Sequence, residues 1–245
     1  MCLLTALILF CAGFSSVLLP ERLDYGATWG MYEKEKKHSV DFMFFGSSLA
    51  YCDIIPSVIY EDTGLTSYVM AGPEQTIPLT YWYLRQACST QSPKVVFIEA
   101  TGMFFSSHSK SVKINLTYMP WSINRLAPTF TEASEDERAG LLFPLYAYHD
   151  RWDRMTWDDF SRGILAFDSL NLDLSTDFFD TLHFNYRGAC KFSAYLASEL
   201  KEFGLTPSAD ADAALWQERI RHFSALKDKA DSGPVKLSGA ADTPS

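Results

Sequence analysis

Short apolar runs alternate with segments of helical periodicity along the first part of the chain. VDFMFFG, TSYVMAG and KVVFIEATG predict buried strands at about residues 40–46, 67–71 and 94–99, each bounded by a glycine. IIPSVIYEDTG and TIPLTYWYLRQACSTQSP predict the intervening helices, which end at Gly64 and before Pro93. This alternation favours an α/β fold, a three-layer α/β/α sandwich around a mostly parallel sheet.

Helical periodicity returns towards the C-terminus. NYRGACKFSAYLASELKEFG predicts an amphipathic helix that ends at Gly204, and ADADAALWQERIRHFSALKDKA predicts a second helix with polar faces. The remainder, DSGPVKLSGAADTPS, is small and polar, which is typical of a disordered tail. We therefore predict a globular domain at residues 39–205, followed by a peripheral helix and tail at residues 206–245.

The N-terminus carries a long uncharged run. Residues 2–19 contain no charged side chain, and about 18 apolar residues can just cross a bilayer as a helix. The run lacks the basic start of a signal peptide, so residues 1–20 are predicted to be a transmembrane anchor, with a buried helix as the alternative. The polar residues 21–38 are predicted to be a stalk. No Lys or Arg precedes the run, so charge bias does not set its orientation.

Composition and charge narrow the range of partners. The chain has 245 residues and a net charge of -9, which argues against nucleic acid because phosphate binding needs a basic surface. No HExxH motif or carboxylate cluster indicates a metal site, and no glycine-rich phosphate loop indicates a nucleotide. We expect neither a metal nor a cofactor. Aromatic residues make up 15% of the chain, which suggests a well-filled core or an aromatic-lined cleft.

Two hydroxyls follow the first predicted strand in the sequence FFGSS. The turn residues Gly46, Ser47 and Ser48 are compatible with an ordinary strand-to-turn junction. They are equally compatible with a nucleophile at the carboxyl end of a strand, where parallel α/β sheets bind their ligands. Gly72 and Thr101 lie at the corresponding ends of the other two strands.

A base and an acid for such a nucleophile stand just before the C-terminal helix. In DFFDTLHFN, Asp180 and His183 are three residues apart. A serine hydroxyl is a poor nucleophile until a histidine takes its proton, and the histidine needs a carboxylate to orient and stabilise it. A DxxH pair alone is a weak signal, but combined with a strand-end GSS it indicates a Ser-His-Asp triad.

These motifs resemble the SGNH (GDSL-type) hydrolase superfamily, with FFGSS as the first block and DTLHFN as the last. The resemblance implies an SGNH/flavodoxin-like fold in which Ser48 is the nucleophile, His183 the base and Asp180 its orienting partner. Ser47 takes the place of the usual Asp of the GDS motif. The backbone N–H groups of Ser48 and Gly72 would stabilise the oxyanion.

The chain looks closest to membrane-anchored SGNH-like proteins of bacterial envelopes that move or remove acyl groups on polysaccharides. GSSLAYCDIIP, AGPEQ, MPWSINRL, YHDRWD and DTLHFNYRGACKFS carry that likeness, which covers about residues 38–203. It implies an extracytoplasmic serine esterase or O-acyltransferase acting on acylated carbohydrate. Asn124 and His149 are candidate substrate-binding residues, although a solvated asparagine and a structural histidine are the alternatives.

Two features depart from the superfamily pattern. The third-block Gly-x-Asn-Asp is absent after VVFIEA, which leaves Asn115 and Asn124 as candidate oxyanion donors. The short segment at residues 161–176 has no room for the further helix and strand that the related proteins hold there. We therefore expect a sheet lacking a strand and helix before the Asp-His block. A catalytically inactive scaffold that binds polysaccharide or an assembly partner is the alternative function.

Overall fold

The computed structural model describes residues 26–105, 111–143 and 185–232. The described elements are α1 (Gly26–Tyr32), β1 (Phe42–Gly46), α2 (Ser48–Asp53), α3 (Pro56–Thr63), β2 (Ser67–Ala71), α4 (Ile77–Ala87), β3 (Val95–Ile98), a 3₁₀ turn (Ala100–Met103), α5 (Ser111–Thr117), α6 (Ile123–Thr131), α7 (Glu135–Leu142), α8 (Tyr186–Glu202) and α9 (Ala213–Ser232).

The three described strands form one parallel sheet in the order β2-β1-β3. Phe42 of β1 pairs with Ser67 of β2 and with Val95 of β3, so the strands are in register from their amino ends. The strand positions and the parallel α/β class predicted from the sequence are confirmed. The sheet and its helices are compatible with α/β/α layering.

Strand β1 is buried on both faces, as its uninterrupted apolar run predicts. Successive side chains point to opposite faces, so Met43 and Phe45 pack with one cluster and Phe42 and Phe44 with another. The first cluster includes residues of α1, α4 and α5. The second includes residues of α3 and α8. Helices therefore cover both faces of the sheet, and β1 forms its centre.

Local sequence signals set the ends of several helices. Thr76 caps α4 by accepting the Leu79 N–H through its hydroxyl, and Asn185 caps α8 in the same way through the Gly188 N–H. Gly64, with φ 69°, ends α3 in the left-handed region, where a side chain would be strained. These helices confirm the predictions made from their periodicity and glycine positions.

The described part of the predicted stalk, residues 26–38, belongs to the folded domain instead. Helix α1 places Trp29 and Tyr32 in the core with 2% and 5% of their surface exposed. The Tyr32 hydroxyl donates to the Ala87 carbonyl at 2.7 Å, and the Tyr68 hydroxyl donates to the Thr28 carbonyl at 2.6 Å. The stalk prediction is therefore wrong for these residues. The segment is polar overall, but its two aromatic side chains bury a large apolar surface in the core.

Helix α9, predicted to be peripheral, is held by specific contacts near its start. Trp216 is 2% exposed and stacks on Tyr60 of α3, with ring centroids 4.8 Å apart. Arg219 donates to the buried carboxylate of Glu35 at 2.5 Å. Burial raises the pKa of Glu35, and the Arg219 guanidinium opposes that rise. The first turns of α9 thus pack against the domain.

Two predicted segments lie outside the described residues: the anchor at residues 2–19 and the tail after α9. Within residues 26–105, 111–143 and 185–232, no helix has the length and apolar character needed to span a bilayer.

Asp41 joins the amino-terminal edge of the sheet to the segment before α9. Its fully buried carboxylate accepts from the Lys94 ammonium at 2.6 Å and from the backbone N–H groups of Thr66 and Ser208 at 3.0 and 3.2 Å. Lys94 also donates to the carbonyl of Thr206. One carboxylate therefore connects segments that are far apart in sequence.

Replacing Asp41 with alanine should lower the free energy of unfolding by about 3 kcal/mol, since it leaves buried donors without an acceptor. The matched control is Asp210→Ala, which breaks an exposed ion pair with Lys36 (3.1 Å) and should cost less than about 0.5 kcal/mol. Urea unfolding followed by circular dichroism measures both. Equal losses in the two variants would contradict the assigned role of Asp41.

Candidate functional site

The turn Gly46-Ser47-Ser48 lies at the carboxyl end of β1, the central described strand. The ends of β2 and β3 flank it, because Gly46 pairs with Ala71 and the Glu99 N–H donates to the Phe45 carbonyl at 2.8 Å. This is the sheet edge at which parallel α/β proteins place their ligands. The structure thus puts the GSS motif where the sequence predicts it.

The two serines of the turn have different environments. Ser47 is fully buried and caps α2, where its hydroxyl accepts the Leu49 N–H at 3.3 Å. The same hydroxyl donates to Glu99 at 2.7 Å. Ser48 is the first residue of α2 and is half-buried. A buried hydroxyl that is engaged in this way is not accessible to a substrate, so Ser48 is the reactive candidate of the two.

Glu99 is a feature of this edge that the sequence analysis missed. It directly follows β3, and its Oε2 accepts both the backbone N–H and the hydroxyl of Ser47, each at 2.7 Å. Thr101, which the sequence placed at a strand end, brings its hydroxyl to 3.3 Å from that of Ser47. A carboxylate immediately after the apolar run VVFI was the available signal, because parallel α/β sheets bind their ligands at the carboxyl ends of their strands.

Gly46 is required by the close approach of β3. A Cβ on Gly46 would lie 2.5 Å from the Cβ of Glu99 and 2.6 Å from its Oε2, and 3.1 Å from the Cβ of Ala50. The first two separations are shorter than van der Waals contact allows. Only glycine lets Glu99 reach the turn, so the glycine and the carboxylate form one unit.

Gly72 also has no space for a side chain, and its amide is engaged. Its N–H donates to the Gly46 carbonyl at 3.2 Å, which extends the pairing of β1 with β2. A Cβ there would lie 1.8 Å from Oδ1 of Asn115. Asn115 is 3% exposed and donates through its side chain to the Pro73 carbonyl at 3.0 Å. The oxyanion site proposed below therefore does not use the Gly72 N–H, and Asn115 is the asparagine that lies at this edge.

Asn124 lies elsewhere. Its side-chain amide donates to Gln86 at 3.1 Å, and Gln86 belongs to the last turn of α4. Helix α4 begins near the carboxyl ends of the strands and runs back to their amino ends, so its last turn is remote from Ser48. The proposed site therefore does not include Asn124 as a substrate-binding residue or oxyanion donor.

An apolar cavity lies beside the serine turn. Its lining includes Leu49 of α2, Phe97 and Ile98 of β3, and Leu196 of α8, with Glu99 as one of its few polar neighbours. The cavity adjoins the turn through Leu49 and Glu99, and neither Ser47 nor Ser48 lines it. Its composition is typical of small-molecule sites, which are mostly apolar with a few placed polar groups.

The remaining predicted site residues, Asp180, His183 and His149, lie outside the described residues. The triad therefore stays a prediction from the sequence, with Ser48 as its described member.

Comparisons of the chain with protein-family models, with curated proteins and with solved structures found no match. Family and activity are therefore matters for proposal.

Proposed function

We propose that the protein is an SGNH-type serine esterase or O-acyltransferase that acts on acylated carbohydrate of the cell envelope. The observation that carries the proposal is the serine pair at the carboxyl end of the central described strand: Ser47 is buried and hydrogen-bonded to Glu99, and Ser48 is half-buried at the first position of α2. That arrangement suits a nucleophile held by a rigid scaffold.

In the proposed reaction His183 takes the proton of the Ser48 hydroxyl as the oxygen attacks the acyl carbonyl. Asp180 orients His183 and stabilises its charged form. The tetrahedral intermediate collapses to an acyl-enzyme as His183 gives the proton to the departing sugar oxygen. Water then accepts the acyl group in a hydrolase, or a sugar hydroxyl accepts it in a transferase. The proposed location is extracytoplasmic, with residues 1–20 as the membrane anchor and no cofactor required.

The oxyanion of this reaction needs donors at the same edge. The backbone N–H of Ser48 is the proposed donor among the described residues. Asn115 is not used, because its side chain is 3% exposed, its amide nitrogen donates to the Pro73 carbonyl, and the atom that lies over Gly72 is the acceptor Oδ1. In other enzymes the loss of one such donor raises the barrier by about 2.7–4 kcal/mol. A site with fewer donors than the complete set is therefore expected to be slower.

The second proposed function is an inactive SGNH-like scaffold that binds polysaccharide or an assembly partner. The engaged amide of Gly72 favours it, since the oxyanion hole would lack one of its expected donors. The Ser, His and Asp of the motifs favour the enzyme, because a binding scaffold has no need of all three.

A fluorophosphonate probe distinguishes the two functions, because it reacts covalently with activated serines. We expect the full chain, purified in detergent, to be labelled at Ser48, as located by peptide mass spectrometry. Ser48→Ala and heat-denatured protein should not be labelled. If folded wild-type protein remains unlabelled, the scaffold replaces the enzyme.

A further inference from the structure

The Glu99 carboxylate has an unusual environment at the serine turn. Its Oε2 accepts two hydrogen bonds from Ser47, from the N–H and from the hydroxyl, both at 2.7 Å. Its Oε1 is enclosed and has no hydrogen-bond partner among the described residues. Oε2 is thus engaged at the turn, Oε1 has no donor among the described residues, and the Glu99 side chain also lines the apolar cavity.

This environment is costly for a group that serves stability alone. Glu99 as a whole is half-buried, but an enclosed carboxylate oxygen without a donor among the described residues lowers the stability of the fold. The close approach also excludes every residue but glycine at position 46. Such local costs are common where a site is held in a fixed geometry.

We propose that Glu99 is a positioning residue that holds Ser48 in its reactive geometry by clamping Ser47. This inference rests on the proposed function, in which Ser48 is the nucleophile. Glu99 fixes the backbone of Ser47 through the N–H and its side chain through the hydroxyl. The same hydroxyl caps Leu49 in the first turn of α2, so the carboxylate determines where the helix that carries Ser48 begins.

The charge of Glu99 gives the clamp its strength. Hydrogen bonds to an ionised acceptor are about twice as strong as neutral ones. A weaker clamp would let the turn move, and a displacement of about 1 Å of a reacting group can cost about 10²-fold in rate. Glu99 is one of the residues that line the cavity, but apolar side chains such as Leu49, Phe97 and Leu196 provide most of its surface. The expected signature is therefore a loss in kcat with little change in KM.

The first test compares Glu99→Gln and Glu99→Ala with the wild type, using hydrolysis of p-nitrophenyl acetate and the rate of fluorophosphonate labelling. Glu99→Ala should lower both kcat and the labelling rate about 10²-fold with KM unchanged. Glu99→Gln keeps the shape and one acceptor oxygen, so its rates should fall between the other two. Glu135→Gln, at an exposed surface carboxylate, is the matched control and should behave as wild type.

A double-mutant cycle tests whether Glu99 acts through Ser47. Ser47→Ala removes one of the two hydrogen bonds to Glu99. The double variant Ser47→Ala/Glu99→Ala should therefore lose much less labelling rate than the product of the two single-variant losses. Thermal unfolding of each variant gives the temperature at which all of them are folded, and the rates are compared there.

Several results would overturn the inference. Wild-type labelling rates in folded Glu99→Gln and Glu99→Ala would contradict it. So would a double variant whose loss of labelling rate equals the product of the losses caused by Ser47→Ala and Glu99→Ala. Rates that recover fully when sucrose restores stability would reduce Glu99 to a structural role. If Glu99→Ala fails to fold, a wild-type rate in Glu99→Gln has the same consequence. Failure of the proposed function looks different, because Ser48→Ala would then equal wild type and the wild type would not be labelled.

Discussion

Replacing Ser48 with alanine is expected to abolish ester hydrolysis, with a fall in kcat of about 10⁴-fold or more. Without the hydroxyl no acyl-enzyme forms, and only direct attack by water remains. Initial rates with p-nitrophenyl acetate measure the loss. Ser198→Ala is the matched control, because Ser198 is exposed on α8 and its hydroxyl donates to the backbone carbonyl of Tyr195.

Replacing the two predicted triad partners, His183 and Asp180, should lower the esterase activity to different degrees. His183→Ala should remove as much activity as Ser48→Ala, because members of a triad act as a unit. Asp180→Ala should leave more residual activity, since the base survives but loses its orientation. His222→Ala, at an exposed position of α9, is the control for histidine loss. Wild-type turnover by Ser48→Ala would refute the catalytic function and leave the binding scaffold.

Gly72→Ala should destabilise the fold by about 3 kcal/mol, the upper part of the range for overpacking. The new Cβ would lie 1.8 Å from Oδ1 of Asn115, whose side chain is 3% exposed and bonded to Pro73. Since the first side-chain atoms of Asn115 cannot move far in a packed interior, the backbone must shift. Chemical unfolding measures the change in the free energy of unfolding.

A second substitution tests the source of that clash. Gly72→Ala combined with Asn115→Ala should cost less than the sum of the single changes, because removing the amide makes room for the new methyl group. Gly46→Ala with Glu99→Ala provides the contrast. There the Cβ of Glu99, at 2.5 Å, remains in the alanine variant, so removing Oε2 at 2.6 Å relieves only part of the clash. Additive costs for the Gly72 pair would show that Asn115 is not the obstruction.

The strands and several helices of this protein follow from local patterns. The runs VDFMFFG and TSYVMAG are apolar because both faces of their strands are covered, and that property is visible without a structure. Thr76, Asn185 and Gly64 act through neighbouring backbone groups only, so the ends they impose could also be anticipated. The position of GSS at the end of a strand could be anticipated from the local sequence in the same way.

The folded role of residues 26–38 could not be anticipated in the same way. The segment is polar overall, and Glu35 in particular indicates a solvated stretch. The buried Glu35 carboxylate pairs with Arg219, which is 184 positions further along the chain and reaches Glu35 only when α9 packs against the domain. The aromatic contacts of Trp29 with Tyr83 likewise join residues far apart in sequence. Such partners exist only after the chain has folded.

The sequence by itself determined the parallel α/β class and the placement of Ser47 and Ser48 at a strand end, because periodicity and turn residues act over a few positions. Only the tertiary structure decided which serine is buried, that Glu99 clamps it, and that Asn115 rather than Asn124 lies at this edge. The register of β1 with β3 brings Ser47 and Glu99 together across 52 positions of sequence. Hydrogen bonds and steric contacts act over a few ångströms in space, and the packing of the sheet sets those distances.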